Sequence, residues 1–257
     1  MKLTLLGTGT SCGVPMIGCH CPVCSSSDPH DRRLRCSMLL ESRDACILFD
    51  CSPDFREQML RIGFEGSIDA CFITHEHYDH VGGIDDLRPF SYMHSLDLYA
   101  DEQTAHDLEQ RLPYCLLRNV YPGVPQLKLH RIRPHDRVEV KHLAVQAISV
   151  MHGQLPILGY RIGPVAFITD MTSMPDSELE LLQGLKVLIV NGLRMKPHPT
   201  HQTISQAVDL ARKLRVPTTR IIHMSHQAGL HAETNARLPE GIRLAYDGEV
   251  LNIEENL

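Results

Sequence analysis

The chain has 257 residues, 43% of them apolar, and carries 25 basic against 31 acidic side chains for a net charge of −6 with neutral histidines. That length is enough to bury a substantial core, and the composition excludes the disordered and fibrous classes. A sequence pI near 6.2 argues against a protein that lives on nucleic acid backbones, and no apolar run reaches membrane-spanning length.

In chain order, short apolar strand patterns are expected at residues 3–6, 37–40, 45–49, 70–74, 97–99, 127–132, 138–140, 144–150, 158–162, 165–169, 187–190 and 220–222. A last pair, 242–246 and 250–253, is expected to form a hairpin across Asp247-Gly248. Helical periodicity marks 54–62, 102–112, 175–182 and 203–214, with Asp101 and Pro175 as start signals. Many short strands, some adjoining as hairpins, with helices interspersed, favour two mixed sheets packed together with helices outside over a doubly wound parallel sheet. Without a linker, low-complexity tract or composition shift, the expectation is one domain over 1–257.

The first strand runs into Gly7-Thr8-Gly9-Thr10 too early to serve as a signal-peptide hydrophobic region. Nine cysteines, an odd number, point to a reducing, cytoplasmic setting and to metal binding rather than a disulfide framework. Cys36, Cys46 and Cys71 sit in apolar runs and read as small core residues.

Chemistry concentrates in Thr74-His75-Glu76-His77-Tyr78-Asp79-His80, which follows the strand at 70–74. In extended backbone, residues two apart project to one side, so His75 and His77 can share a metal. Where the chain turns into the helix suggested by Val81-Gly82-Gly83, Asp79 and His80 can point back at a second. Imidazole and carboxylate together suit zinc, manganese or iron. Further ligands should come from other strand ends, and His152, Asp170 and His223 each stand where a strand pattern stops. Near the N-terminus, Cys19, Cys21 and Cys24 are spaced closely enough for a closed tetrahedral zinc site needing one more ligand, for which His20, Cys12 and Cys36 can compete.

These residues resemble the metallo-β-lactamase superfamily, whose His-x-His-x-Asp-His hallmark is matched by His75, His77, Asp79 and His80. The resemblance implies a four-layer αββα sandwich with the site at one edge between the sheets. It also implies a first metal on His75, His77 and His152, a second on Asp79, His80 and His223, Asp170 bridging them, and Asp50 orienting the histidine loop from behind. Gly7-Thr8-Gly9-Thr10-Ser11, Gly13-Val14-Pro15 and the cysteine stretch resemble the phosphodiesterase of the carbon–phosphorus lyase pathway and its relatives. That branch carries a structural zinc on a Cys-x-Cys-x-x-Cys stretch and a late histidine, matched by Cys19, Cys21, Cys24 and His226. It also has a histidine reaching the substrate phosphate just before a helix, a position His201 fits better than His198. Association into a homodimer is a further implication.

The expected activity is hydrolysis of small cyclic or linear phosphodiesters. Two divalent ions, zinc, manganese or iron, can hold a hydroxide between them and offset phosphoryl charge. His201 is the expected general acid or phosphate clamp, and Asp79 is counted with it as catalytic. A transfer-RNA 3′-processing endonuclease shares the histidine set but grips RNA with a Gly/Pro- and Lys-rich arm, whereas a strand, a short loop and a helix lie between Asp170 and His223. A pyrroloquinoline quinone biosynthesis protein has a similar cysteine stretch, and a non-catalytic metal-binding protein is the reading from another class. Asp85-Asp86-Leu87-Arg88 reads as a helix-end ion pair as well as a branch feature, and Asn191-Gly192-Leu193-Arg194 departs from the branch pattern, with Arg194 either an anion contact or plain surface.

Overall fold

Strands that are apolar on both faces dominate the computed structural model, which describes residues 1–92, 94–116 and 123–254. The first six are β1 (Lys2–Gly7), β2 (Ser37–Glu41), β3 (Cys46–Phe49), β4 (Ala70–Phe72), β5 (Leu96–Ala100) and β6 (Leu127–Arg131). Seven more follow: β7 (Arg137–Val140), β8 (Leu143–His152), β9 (Leu155–Ile162), β10 (Val165–Ile168), β11 (Val187–Asn191), β12 (Thr218–Ile222) and β13 (Ile242–Leu244). The last strand, β14 (Glu249–Asn252), returns to the first group. One sheet has the order β14-β1-β2-β3-β4-β5-β6 and the other β13-β12-β11-β10-β9-β8-β7. Each is mixed: β3 to β6 run parallel beyond an antiparallel edge, and β10 to β13 do the same in the second sheet.

Alternation within a strand explains the layering. In β10, Val165 and Phe167 face the other sheet, while Ala166 and Ile168 face outward onto a second apolar cluster. In β3, Ile47 and Phe49 point inward and Leu48 outward. Strands buried on both faces need a cover on each side. The covers are helices: α1 (Phe55–Arg61), α2 (Tyr78–Val81), α3 (Glu102–Arg111) and α4 (Pro113–Leu116) follow strands of the first sheet, and α5 (Asp176–Leu181) and α6 (Ile204–Leu214) pack over the second. A short α7 (His231–Asn235) precedes β13. Three apolar clusters, one between the sheets and one under each helical layer, make the four layers of an αββα sandwich.

Helix starts follow the side chains available. Asp101 accepts from the Thr104 N–H at 2.7 Å to open α3, and Thr203 with Gln206 forms a full capping box on α6. The Asp247-Gly248 hairpin does not form. β13 pairs with β12 in one sheet and β14 with β1 in the other, so the segment between them crosses from sheet to sheet. Asp247 accounts for the crossing, since its partly buried carboxylate accepts from Thr8 N, Thr8 Oγ1 and Leu34 N and anchors the segment to the loops instead of closing a two-residue turn.

Candidate dinuclear metal centre and cysteine site

Parallel register brings the functional strand ends to one edge. Phe49 lies beside Phe72, Ile168 beside Val190 and Asn191 beside Ile222, so β3, β4, β10, β11 and β12 finish together. At three of these exits the backbone turns left-handed on a residue other than glycine: Asp50 at φ 56°, Asp170 at 54° and His223 at 55°. Such conformations cost energy that the surroundings must supply, and they concentrate where a side chain has to be aimed. Behind the histidine loop, a Cβ on Gly83 would sit 2.0 Å from the Ser52 carbonyl, so only glycine lets α2 lie this close.

Two groups of donors meet at that edge. His75, His77 and His152 bring one nitrogen each within 4.8 Å of one another, with His75 Nε2 3.0 Å from His77 Nδ1. Asp79, His80 and His223 form the second group under the same limit. Asp170 faces both, lying 3.1 Å from His80 Nε2 through one oxygen and 3.2 Å from His223 Nε2 through the other, and it also groups with His75 and with His152. Around a cation with bonds of about 2.0–2.1 Å to nitrogen, neighbouring tetrahedral ligand atoms stand roughly 3.3 Å apart. The observed separations match.

The protein also orients the rings from behind. His152 Nδ1 lies 2.7 Å from the Thr200 carbonyl, which can only accept, so the proton is on Nδ1 and the Nε2 lone pair is left for a ligand bond. His80 Nδ1 meets the buried Asp50 carboxylate at 2.7 Å, and Asp50 in turn accepts from Thr74 N at 2.8 Å. On its other side His80 Nε2 is buried and within 3.2 Å of two carboxylates, yet off any hydrogen-bonding direction. Nitrogens and oxygens that crowd without bonding to one another suit a cation between them.

Electrostatics point the same way. Asp50, Asp79 and Asp170 are all buried, and the ion pairs they make are with imidazoles. Burial disfavours a charged His80, but Asp79, Asp170 and Asp50 outweigh it and hold that imidazole well above its ordinary range. Burial likewise opposes an ionised Asp170, and His223 and His80 overcome it, keeping the carboxyl well below the usual range. His75, by contrast, is held neutral chiefly by burial. The pocket stabilises positive charge at its centre, and divalent cations would replace the protons it otherwise recruits.

His201 completes the edge. Its ring centroid is 4.7 Å from that of His152 and 5.0 Å from that of His223, and its Nδ1 is 3.5 Å from Asp170. Burial above all pushes this imidazole down to about 3, against the pull of Asp170. His198 is its neighbour, with ring centroids 5.1 Å apart. The position before α6 favours His201 over His198 in the sequence, and the signal available for His198 is only a second histidine three residues from His201.

A separate cluster joins the N-terminal loop to the end of β12. The thiols of Cys19, Cys21 and Cys24 stand 3.2, 3.3 and 3.5 Å from His226 Nδ1. With Zn–S bonds near 2.3 Å, a zinc tetrahedron has S···N edges of about 3.5 Å, so these four fit a closed site. The Cys24 N–H above all, with His226 and the other thiols, lowers Cys21 to about 6 against its burial. Among the rival fourth ligands, His20 and Cys12 are exposed, and Cys36 lies buried beside Thr169, away from the three thiols.

Residues 46–224 match the family model described as the beta-lactamase superfamily domain. The chain belongs to that superfamily. A solved diphosphatase of the PhnP family is 45% identical, with 97% of this chain and 96% of that one covered and a TM-score of 0.91, which makes the chain PhnP-like within the superfamily. Among curated proteins, one named octanoyltransferase from Porphyromonas gingivalis is 47% identical over 99% of this chain, and a ribonuclease Z from Myxococcus xanthus is 26% identical over 77%. This superfamily member spans 52% and 62% of those two proteins. It has the fold and the clustered donors of a metal-dependent hydrolase. No helix among the described residues is long and apolar enough to cross a membrane.

Proposed function

We propose that this chain is a dinuclear-metal phosphoryl hydrolase that cleaves small cyclic or linear phosphodiesters or the related diphosphate link. His75, His77 and His152 would hold one ion, Asp79, His80 and His223 the other, and Asp170 both, with zinc, manganese and iron all compatible with these ligands. When bound, such a pair lowers the pKa of water and neutralises charge growing on a phosphoryl oxygen. The chain's own groups do the rest. Asp50 and the Thr200 carbonyl fix the ring orientations, and His201 stands at the rim to protonate or clamp the departing oxygen. His201 is neutral in the substrate-free chain, and an anionic phosphoryl group would raise its proton affinity.

One observation carries the phosphoryl reading: the likeness to a PhnP-family diphosphatase extends over 97% of the chain at 45% identity. A structural zinc on Cys19, Cys21, Cys24 and His226 is part of the same proposal. An endonuclease reading finds support in the ribonuclease Z relative, but between Asp170 and His223 the chain runs through α5, β11, a loop, α6 and β12, with no inserted RNA-gripping arm. Octanoyl transfer is the name of a protein nearly twice this length, of which this chain spans 52%, and Cys36, Cys51 and Cys71 are buried thiols pushed up by desolvation, unsuited to carry an acyl group.

The test is an assay of the manganese- or zinc-loaded chain on bis-p-nitrophenyl phosphate, on cyclic and linear phosphodiesters, on dinucleoside diphosphates and on a precursor transfer RNA. Turnover of small phosphoryl substrates is expected. Cleavage of the RNA alone, or of nothing, would reject the proposal.

A further inference from the structure

A cavity of about 230 Å³ opens beside the metal cluster, between the loop that carries the cysteines and the loop before α6. Thr10, Ser11 and Met16 form one wall and Arg194, His198 and His201 the other. Its size is below that of a drug-sized pocket and suits a compact group. His201 belongs to both the cluster and this cavity.

Two side chains in the cavity are held ready for an anion. Arg194 spends three of its donors on its own surroundings: Nε on the Lys196 carbonyl at 3.2 Å, Nη2 on the Pro197 carbonyl at 2.9 Å, and Nη1 on Gln227 Oε1. A guanidinium has five N–H donors. The remaining pair stays on a fork whose position is already fixed, so little further ordering is needed to grip a phosphate. His198 is oriented as well. The Thr200 backbone N–H, which can only donate, points at His198 Nδ1 from 3.3 Å, with Thr200 Oγ1 at 3.2 Å. In the neutral ring the proton must therefore sit on Nε2, which makes that edge a donor.

We infer that this cavity is the leaving-group pocket and that Arg194 and His198 there bind a second phosphate, so the preferred substrate carries two phosphoryl groups, as across a diphosphate link. The inference rests on the phosphoryl-hydrolase reading for its chemistry, but the pocket can be tested without turnover. It also gives the cysteine loop a second task, because Thr10 to Met16 wall the pocket next to the stretch that Cys19, Cys21 and Cys24 tie to His226.

The experiment compares wild type, Arg194→Gln, Arg194→Lys and His198→Gln, all metal-loaded, each checked by thermal melting. Steady-state kinetics use diadenosine diphosphate and bis-p-nitrophenyl phosphate, and calorimetry measures binding of inorganic diphosphate against inorganic phosphate. In Arg194→Gln the ratio of kcat/KM for the two substrates should shift at least tenfold against the diphosphate, mainly through KM. His198→Gln should move it the same way by a smaller factor, and Arg194→Lys should recover part of the loss. Wild type should bind diphosphate more tightly than phosphate, with that preference reduced in both glutamine variants. An unshifted ratio, or a diphosphate preference that survives in well-folded Arg194→Gln and His198→Gln, overturns the pocket. Wild type that turns over neither substrate overturns the hydrolase reading, while the two binding constants still decide the pocket.

Discussion

At the scale of single residues, His75, His77, Asp79 and His80 were readable because four potential ligands follow an apolar strand in a fixed spacing, and the structure brings them together with His152, Asp170 and His223. The residues that aim them were less legible. Asp50 entered only by resemblance, and Thr200, whose carbonyl sets the His152 tautomer, gave no signal, because a backbone acceptor leaves no trace in residue type. For Arg194 the sequence allows an anion contact or plain surface, and for His198 a rigid turn, and residue type cannot choose, because their roles depend on which carbonyls and N–H groups the loop presents. His201 carries the prediction at this scale. His201→Ala should slow diesters with poor alkoxide leaving groups by about 10²–10⁴, the usual worth of a positioned acid, and activated aryl diesters by less than about tenfold. Equal losses on both, measured as kcat/KM, would leave His201 a binding role only.

Among elements, strands and helices were read well where local pattern decides them, as in the capping box of α6 and the Asp101 cap of α3. Pairing was not local. Asp247-Gly248 reads as a hairpin in any sequence, and only the tertiary bonds from Thr8 and Leu34 to Asp247 send β14 to the opposite sheet. The ion pair between Asp85 and Arg88, 2.9 Å apart, shows the converse, a feature of the branch that a local contact explains. Two predictions concern such ties. Cys21→Ser should lower the melting temperature and release one zinc per chain before activity falls, because His226 is three residues from His223 and Met224 is bonded to Thr8 and Thr10 in the same loop system. Activity lost at an unchanged melting temperature would place Cys21 in the chemistry instead. The second tie is His231, which stacks on His30 and meets Arg33 Nη2 at 3.1 Å. Burial, then Arg33 and His30, lower its pKa to about 4. Unfolded, the imidazole titrates near 6.5, so between those values the unfolded chain binds more protons. This contribution is complete above about 6.5 and is lost as pH falls towards 4. His231→Gln should flatten the melting temperature over that window, and a slope identical to wild type would remove the assignment.

For the molecule as a whole, two mixed sheets were foreseeable from many short strands with interspersed helices, and the three apolar clusters supply the physical reason for four layers. What the sequence could not convey is how register gathers strand ends as distant in the chain as Phe49 and Ile222 into one edge, where imidazoles and carboxylates crowd at 3.0–3.3 Å. The proposed chemistry requires cations filling that space. Metal content per chain, determined by elemental analysis on wild type, His75→Ala and Asp170→Ala after loading and exhaustive dialysis, tests it most directly. Three ions are predicted for wild type, with both variants depleted at the cluster and keeping the one zinc on the cysteines. Variants that retain the full wild-type content would contradict the assignment of these residues as ligands.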